Sequence, residues 1–338
     1  MKESDVLRCQ IQEWYPRFRT HSIRTQVVQL PEEFVSFLLE DGIFLPADSD
    51  AMPSRTRVDM PQLQAEDYSH WEEEDDESGV PAVPTFPELA AEVQTAIESL
   101  GGTVVPKLNW SAPKDTAWIA TTGSMRCQNF GEVSLLLKAS DNVVHDLCHA
   151  FDSCDDKSME RPFQVVLALR KWYDLRPELE FRGFVRGNLL VGVCQREVTG
   201  FYETLLGREE ELSDLILDFF LDNLKEEFGG GDYTFDVYVT KDKKVKLIDF
   251  NTWRGSTLPL LFTWDELEER FSEAGTLGTA LNPDFDFRIV TSEGLVQLGL
   301  RVGTGVPIDF VNQGAWEDII KREAEREARE MGGGRAGA

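Results

Sequence analysis

The spacing of apolar positions along the chain predicts helices and short strands in mixed order. Apolar residues recur every three or four positions, as on the buried face of a helix, over 31–41, 88–100 and 209–228. Pro31 and Gly101-Gly102 mark the start of the first helix and the end of the second. Apolar runs predict strands at 103–108, 163–172, 181–185 and 189–195. Antiparallel hairpins mixed with helices indicate the α+β class rather than a doubly wound parallel sheet.

Two hairpins are predicted. Residues 181–185 and 189–195 flank Arg186-Gly187-Asn188, a three-residue connection that contains glycine. Between residues 233 and 251, two runs rich in Val, Ile, Phe and Tyr flank a charged turn. A two-residue loop at Asp242-Lys243 would place Asp236 opposite Asp249 in this second hairpin.

The second hairpin carries a candidate metal site. Side chains alternate along a strand, so Asn251 shares a face with Asp249 and lies about 7 Å further along. With Asp236, these residues offer oxygen ligands on one surface, which magnesium prefers while nucleotide phosphates complete its shell. The alternative is a solvated hairpin whose acids balance the lysines at 241–246, and the residues alone leave both interpretations open.

Charge limits the classes of partner. A net charge of −27 disfavours nucleic acid and anionic membrane, so neither is expected as a partner. Residues 58–106 contain twelve Asp or Glu and no Lys or Arg, so the basic residues elsewhere can concentrate in a pocket for a small anion. Residues 47–84 are rich in Asp, Glu, Ser and Pro, and we expect them to form a disordered acidic loop.

Cysteine usage and hydropathy bear on the compartment. The five cysteines are odd in number and scattered, and the first residues are charged rather than typical of a signal peptide. No apolar run approaches the roughly 20 residues that a membrane helix needs. We therefore expect a cytoplasmic protein in a reducing compartment, monomeric before it binds a partner.

Phosphate recognition would have to use lysines and arginines, because the chain has neither a Walker nor a Rossmann glycine motif. The candidates at strand ends are Lys107, Lys114, Arg170, Lys171, Arg182 and Arg196. The segment with Lys107 and Lys114 contains small residues and is interpreted as a mobile phosphate cover. Each cation alone is more often a solvated surface residue, and Trp172 and Tyr173 are more often core or rim aromatics than an adenine platform.

Two other chemistries are disfavoured. The spacing of His145, Cys148, His149 and Cys154 fits no common zinc pattern, and the acidic residues between them suggest a loop. No GxSxG motif occurs, so a serine hydrolase is not indicated.

Four motifs together resemble the cell division cycle protein 123 family. They are PKLNWSAPKD at 106–115, LRKW at 169–172, EFRGFV at 180–185 and LIDFN at 247–251. The resemblance runs from Cys9-Gln10 and Trp14-Tyr15-Pro16 to LFTWDEL at 261–267, and it covers most of the chain outside the acidic loop and the tail. It implies an ATP-grasp-like fold whose two lobes hold ATP and Mg²⁺. It also implies an assembly chaperone of eukaryotic translation initiation factor 2 that supports translation initiation and cell-cycle progression.

The resemblance implies residue roles as well. Lys107, Asn109, Ala112 and Lys114 would line the phosphates. Arg170, Lys171, Trp172 and Tyr173 would lie at the adenine, where backbone groups of Lys171 and Tyr173 read the base edge. Arg182 and Arg196 would contact phosphate or ribose, and Asp236, Asp249 and Asn251 would ligate magnesium. No catalytic residue is assigned, because Asn251 stands where catalytic ATP-grasp proteins usually have Glu, which leaves turnover of ATP open.

The predicted organisation has four parts. They are an amino-terminal lobe at 1–46 and 85–160, the acidic loop at 47–84, a carboxy-terminal ATP-grasp lobe with the metal hairpin at 161–315, and a charged helical tail at 316–338. The resemblance implies that the amino-terminal lobe and the tail bind the gamma subunit of the initiation factor. Two alternatives stay open: an ATP-grasp carboxylate-amine ligase and a nucleotide-independent binding scaffold.

Overall fold

A computed structural model describes residues 1–47, 84–120, 122–276 and 285–292. Residues 48–83 of the predicted acidic loop and the whole predicted tail lie outside these ranges. The α-helices of the described part are α1 (Glu3–Arg8), α2 (Ile11–Phe18), α3 (Glu32–Leu39), α4 (Pro87–Ser99), α5 (Phe130–Lys138), α6 (Asp141–Cys148), α7 (Glu209–Phe219) and α8 (Trp264–Thr276). Its strands are β1 (Thr25–Gln29), β2 (Val104–Lys107), β3 (Val166–Lys171), β4 (Glu180–Arg186), β5 (Leu189–Gln195), β6 (Tyr233–Val239), β7 (Val245–Thr252) and β8 (Asp286–Arg288).

The strands form two sheets. The smaller has the order β1-β3-β2 with antiparallel neighbours, and the larger has the order β7-β6-β4-β5-β8. Among the described strands of the larger sheet, β5 pairs with β8 in parallel and the other neighbours are antiparallel. Mainly antiparallel sheets with flanking helices confirm the α+β prediction.

Strand β3 is buried on both of its faces. Val166 and Ala168 belong to a core that also contains residues of the larger sheet. Leu167 and Leu169 belong to a second core, which the smaller sheet forms with helices α3, α4, α5 and α6. Because side chains alternate along a strand, β3 contributes to both cores, and its near-continuous apolar sequence follows from this position.

The predicted lobe boundaries do not coincide with the sheets. The prediction assigned 161–172 to the carboxy-terminal lobe, whereas β3 pairs with β1 and β2 of the amino-terminal part. It also assigned the first residues to the amino-terminal lobe, yet Trp14 and Phe18 on α2 pack against Phe250 of the larger sheet. The chain therefore crosses between the two cores more than once.

The β4–β5 hairpin has a shorter connection than predicted. Arg186 pairs with Leu189, which leaves a two-residue loop of Gly187 and Asn188 instead of the predicted three residues. Their φ angles of 54° and 63° are those of a type I′ turn, which matches the twist of the flanking strands. Asn tolerates this left-handed conformation better than most residues with a side chain.

The β6–β7 hairpin has the predicted pairing of acids but a different turn. Asp236 lies opposite Asp249, as predicted. Thr240 and Lys244 are joined by a backbone hydrogen bond of 2.9 Å, so three residues form the loop, with Lys243 at φ 59°. The predicted two-residue loop is therefore wrong. A β-bulge between Asp236 and Val237 shifts the register and returns Asp236 to Asp249.

Some of the predicted helices are confirmed, and one segment predicted as a loop is a helix. Helices α3 and α4 are confirmed, and α4 ends before Gly101 and Gly102, both with positive φ. The predicted helix at 209–228 is α7 followed by a π-helical turn at Phe220–Leu224. The loop suggested around His145 and Cys148 is wrong, because both residues lie on α6.

Replacement of Gly183 tests the packing of the larger sheet. Gly183 on β4 lies opposite Phe235 on β6, and a Cβ added at Gly183 would overlap the Phe235 ring. We expect Gly183→Ala to lower the free energy of unfolding by roughly 1–3 kcal/mol, because the ring cannot move without strain. Gly231→Ala is the control, since its nearest new contact is at 3.9 Å. Equal urea midpoints for the two variants would contradict this packing.

Candidate functional site

Two arginines hold the carboxylate of Asp236. Arg182 donates from Nε to Oδ1 at 2.7 Å and from Nη2 to Oδ2 at 2.8 Å, and Arg196 Nε donates to Oδ2 at 3.1 Å. Arg182 and Asp236 face each other across β4 and β6, so strand pairing brings them together. Burial would raise the pKa of Asp236, but the two guanidinium groups outweigh burial and hold this pKa well below its usual range.

Asp249 joins the larger sheet to the smaller one. Its Oδ2 accepts a hydrogen bond of 2.6 Å from Lys107 Nζ on β2, and the Lys107 side chain is 2% exposed. Lys107 also donates to the carbonyl oxygen of Trp110. The other oxygen of Asp249, Oδ1, is buried and has no hydrogen-bond partner among the described residues. One carboxylate thus balances a buried ammonium group and keeps an acceptor unused.

Arg170 is a buried guanidinium with unused donors. The residue is 8% exposed, and its Nε and Nη2 have no hydrogen-bond partner in the described ranges. Burial lowers the pKa of Arg170, and nearby Asp249 opposes that effect. Asn251 Nδ2 is also buried without a partner within the described part. Because buried polar atoms are normally hydrogen-bonded, these atoms indicate a place for water molecules or a polar ligand.

Lys114 and Glu180 add two further charges. Repulsion by Arg196 lowers the pKa of Lys114, although more than a third of this side chain is exposed and solvent screens the repulsion. Burial raises the pKa of Glu180, against the attraction of Lys114 and Arg196. Glu180 was not predicted as a site residue. Its position two residues before Arg182 on β4, and hence on the same face, is a signal that could have found it.

These side chains form a charged cluster with a net positive charge. Joined by hydrogen bonds or by electrostatic interaction, its members are Lys107, Lys114, Arg170, Glu180, Arg182, Arg196, Asp236 and Asp249. Its five cations and three carboxylates leave a net charge of +2, or +1 when the neighbouring buried Asp146 is included, in a chain of net charge −27. A local excess of positive charge attracts small anions even when the rest of the surface is acidic.

The predicted phosphate residues between the lysines have partners within the chain. Asn109 Nδ2 donates to the carbonyl of Gln164 at 2.8 Å, and Asn109 Oδ1 accepts from the backbone of Val166 at 3.0 Å. Ala112 accepts a backbone hydrogen bond of 2.8 Å from Lys114. The side chain of Asn109 therefore fixes the start of β3, and a ligand contact by Asn109 or Ala112 stays a prediction.

The predicted adenine segment lies where β3 leads towards β4. The backbone N–H of Lys171 donates to Arg24, that of Trp172 donates to Thr103, and the Tyr173 carbonyl accepts from Leu175. Tyr173 is 46% exposed, and the ammonium group of Lys171 lies 5.6 Å from the centroid of its ring. The segment borders both sheets, while its reading of a base edge stays a prediction.

A family model described as D123 matches residues 14–313. The chain belongs to the D123 family. It is 40% identical over 324 residues to the translation initiation factor eIF2 assembly protein of Xenopus tropicalis, with 95% of each chain covered. The protein of the same name from Danio rerio is 37% identical, with 95% of this chain and 92% of the relative covered.

A solved structure supports the same assignment. The structure of Cdc123 from Schizosaccharomyces pombe is 34% identical and has a TM-score of 0.69. The match covers 86% of this chain and 99% of the other. The predicted resemblance to the cell division cycle protein 123 family is confirmed.

The donor set of this D123 protein suits a nucleotide polyphosphate with its metal. Arg170 offers two unpaired buried donors, and Asp249 Oδ1 offers an unpaired acceptor. Guanidinium groups fit phosphate oxygens, and carboxylate and amide oxygens fit magnesium. Among the described residues, no group of three or more His, Cys, Asp or Glu side chains is arranged to hold a metal by itself. A metal at this site would therefore need further ligands, which phosphates can supply.

Two other observations concern the described part of this D123 chain. His145 and His149 lie on or next to α6 with ring centroids 6.2 Å apart, and His149 Nδ1 lies 2.9 Å from Asp152 Oδ2. No hydrogen bond or ion pair among the described residues joins either histidine to the charged cluster. In the same ranges, no helix has the length and apolar character to span a bilayer.

Asp236→Ala tests the arginine pair. The substitution would leave the buried Arg182 guanidinium and Arg196 without their shared acceptor, so we expect a loss of roughly 3–5 kcal/mol in the free energy of unfolding. Asp242→Ala, in the exposed turn of the same hairpin, should change the free energy of unfolding by less than about 0.5 kcal/mol. Urea unfolding measures both. An equal change in the free energy of unfolding for both variants would show that the acceptor role of Asp236 does not stabilise the fold.

Proposed function

We propose that this D123 protein is an ATP- and magnesium-binding chaperone for the assembly of translation initiation factor 2. The observation that carries the nucleotide proposal is Arg170, a buried guanidinium with two unpaired donors inside a cluster of net positive charge. The chaperone proposal is supported by relatives whose name is translation initiation factor eIF2 assembly protein and which match over 95% of this chain.

The cations would bind the polyphosphate. Lys107 approaches the cluster from the end of β2, Lys114 from the segment after β2, and Arg170 from β3. Arg182 and Arg196 lie on or next to β4 and β5, where Asp236 keeps their planes in place. A planar guanidinium held in this way loses little freedom when it binds phosphate or ribose oxygens. Positive charge from both sheets would thus meet on one anion.

The acids and Asn251 would hold Mg²⁺. Asp249 has a free oxygen, Asn251 follows on the same strand face, and Asp236 lies opposite Asp249. Asp236 already accepts three hydrogen bonds, so only about one of its roughly four acceptor positions is left for a metal. Asp249 is therefore the principal proposed ligand. Bound magnesium would offset phosphate charge at this point.

The base would lie at 170–173, in an ATP-grasp-like arrangement with the nucleotide between the two sheets. No turnover is proposed, because the third oxygen ligand is the neutral amide of Asn251 rather than a carboxylate. Release of ADP in the presence of a small amine or thiol acceptor would favour a carboxylate-amine ligase instead. Partner binding that survives loss of nucleotide binding would favour a nucleotide-independent scaffold.

The partner is proposed to be the gamma subunit of the factor, gripped by the amino-terminal part of the chain and by the charged tail. Assembly of this factor would place the protein in the cytoplasm, as a monomer before it meets the subunit. The acidic surface would mainly raise the association rate, because long-range attraction between unlike charges speeds encounter. Salt at 0.1 M screens this attraction beyond about 10 Å.

Asp249→Asn tests the metal assignment. The amide keeps the size of the side chain and can still accept from Lys107, but it removes the charge. We therefore expect magnesium-ATP to bind at least about tenfold more weakly and with less dependence on magnesium, and a urea midpoint close to that of the unmodified protein separates this effect from loss of the Lys107 pair. Calorimetry with and without magnesium measures both quantities. Asp242→Asn, in the turn of the same hairpin, should bind like the unmodified protein. Unchanged affinity in Asp249→Asn would remove Asp249 from the site.

Co-migration with the purified gamma subunit tests the chaperone proposal. We expect a complex in size-exclusion chromatography at micromolar concentration and low salt. Higher salt should slow association more than it speeds release, because screening acts on the encounter. Failure to co-migrate, both with and without magnesium-ATP, would overturn the proposed partner. If the Asp249→Asn variant binds the gamma subunit but not magnesium-ATP, the protein acts as a nucleotide-independent scaffold.

A further inference from the structure

The segment that carries Lys107 and Lys114 is fastened to helix α6 at two points. Asp146, in the last turn of α6, is 2% exposed. Its Oδ2 accepts from the backbone N–H groups of Trp110 at 3.1 Å and Ser111 at 2.7 Å. Its Oδ1 accepts from the Ser111 hydroxyl at 2.7 Å. One buried carboxylate therefore holds two successive residues of this segment.

The second point is at the other end of the helix. Asp115 follows Lys114 directly, and its Oδ2 accepts from the backbone of Asp141 at 2.7 Å. Its Oδ1 accepts from the Ser140 hydroxyl at 2.7 Å and from Asn142 Nδ2 at 3.0 Å. Asp115 thus supplements the cap that Ser140 provides for α6. Both ends of one helix grip the same short segment.

The helix itself is firmly placed. Val143 and Leu147 of α6 are 0% and 2% exposed and belong to the core of the smaller sheet. Asp146 binds the backbone N–H groups of Trp110 and Ser111, on either side of the Trp110 carbonyl. That carbonyl accepts from Lys107 Nζ, which also donates to Asp249. A chain of contacts therefore runs from the core through α6 and Trp110 to the ammonium group of Lys107.

We infer that Asp146 is a positioning residue of the nucleotide site, which sets the placement of Lys107 through Trp110 and Ser111. This inference rests on the proposed function. The segment is then a fastened support rather than the mobile phosphate cover interpreted from its small residues. A support ordered before binding loses less conformational freedom when phosphate arrives, which raises affinity without any contact to the ligand.

Geometry rather than charge is the property that matters in this role. In Asp146→Asn the remaining oxygen can accept from both backbone N–H groups, while the new amide can donate to the Ser111 hydroxyl. In Asp146→Ala all three hydrogen bonds are lost and two backbone donors are left without an acceptor. The two variants therefore separate placement from charge.

We expect Asp146→Ala to bind magnesium-ATP about tenfold more weakly or worse, and Asp146→Asn to stay within about threefold of the unmodified protein, by calorimetry. Ser111→Ala, which removes one bond and keeps the fold, should fall between them. Asp141→Ala, an exposed position on the same helix, is the matched control and should bind normally.

Amide hydrogen exchange supplies a readout that needs no nucleotide. The Trp110 and Ser111 amides should be protected in the unmodified protein and in Asp146→Asn, and should exchange faster in Asp146→Ala. If Asp146→Asn loses as much affinity as Asp146→Ala, charge and not placement is responsible, and the inference fails. Normal binding by Asp146→Ala also overturns it. No binding by the unmodified protein overturns the proposed function, while the exchange pattern still reports whether Asp146 fastens the segment.

Discussion

The ion pair between Lys107 and Asp249 joins the two sheets at the edge of the apolar core that β3 shares with the larger sheet. Lys107 is 2% exposed, so its ammonium group has lost its water and requires compensating acceptors inside the protein. One acceptor comes from the larger sheet and the other, the Trp110 carbonyl, comes from the segment after β2. Either sheet could move only by stripping a buried charge of a partner, which is far more costly than losing an exposed ion pair.

In the charged cluster, the two aspartates also compensate buried cations, but their oxygen atoms are used differently. Both oxygens of Asp236 accept hydrogen bonds from Arg182 and Arg196. Among the described residues, Asp249 keeps one oxygen without a partner, and Arg170 has unpaired donors nearby. Two aspartates that face each other across a hairpin therefore have unequal roles. The first organises cations, and the second remains open to a ligand.

The periodicity of apolar residues correctly predicted helices with one continuous apolar face and strands that pair with the next strand in sequence. Helices α3 and α4 and the strands of the β4–β5 hairpin are of this kind. Helix α2 was missed although Ile11, Trp14 and Phe18 have helical spacing, because Pro16 lies inside it and proline normally ends a helix.

In the site, opposing acids were predictable from alternation, but the β-bulge that secures their pairing depends on backbone geometry. Helix α6 was taken for a loop because its polar residues suggested one, whereas Asp146 is a buried carboxylate satisfied by backbone donors over thirty residues away. Glu180 was missed for a related reason, since its neighbours Lys114 and Arg196 are distant in sequence.

The amino-terminal contacts bear on the order in which a nascent chain can fold. Ser22 bonds to the carbonyl of Leu247 across 225 residues, and Trp14 and Phe18 pack on Phe250. Residues synthesised first thus wait for strand β7, which emerges from the ribosome much later. At roughly 5–20 residues per second, Trp14 and Phe18 spend ten seconds or more without their partner. Docking of this aromatic face therefore has to wait until β7 has been synthesised.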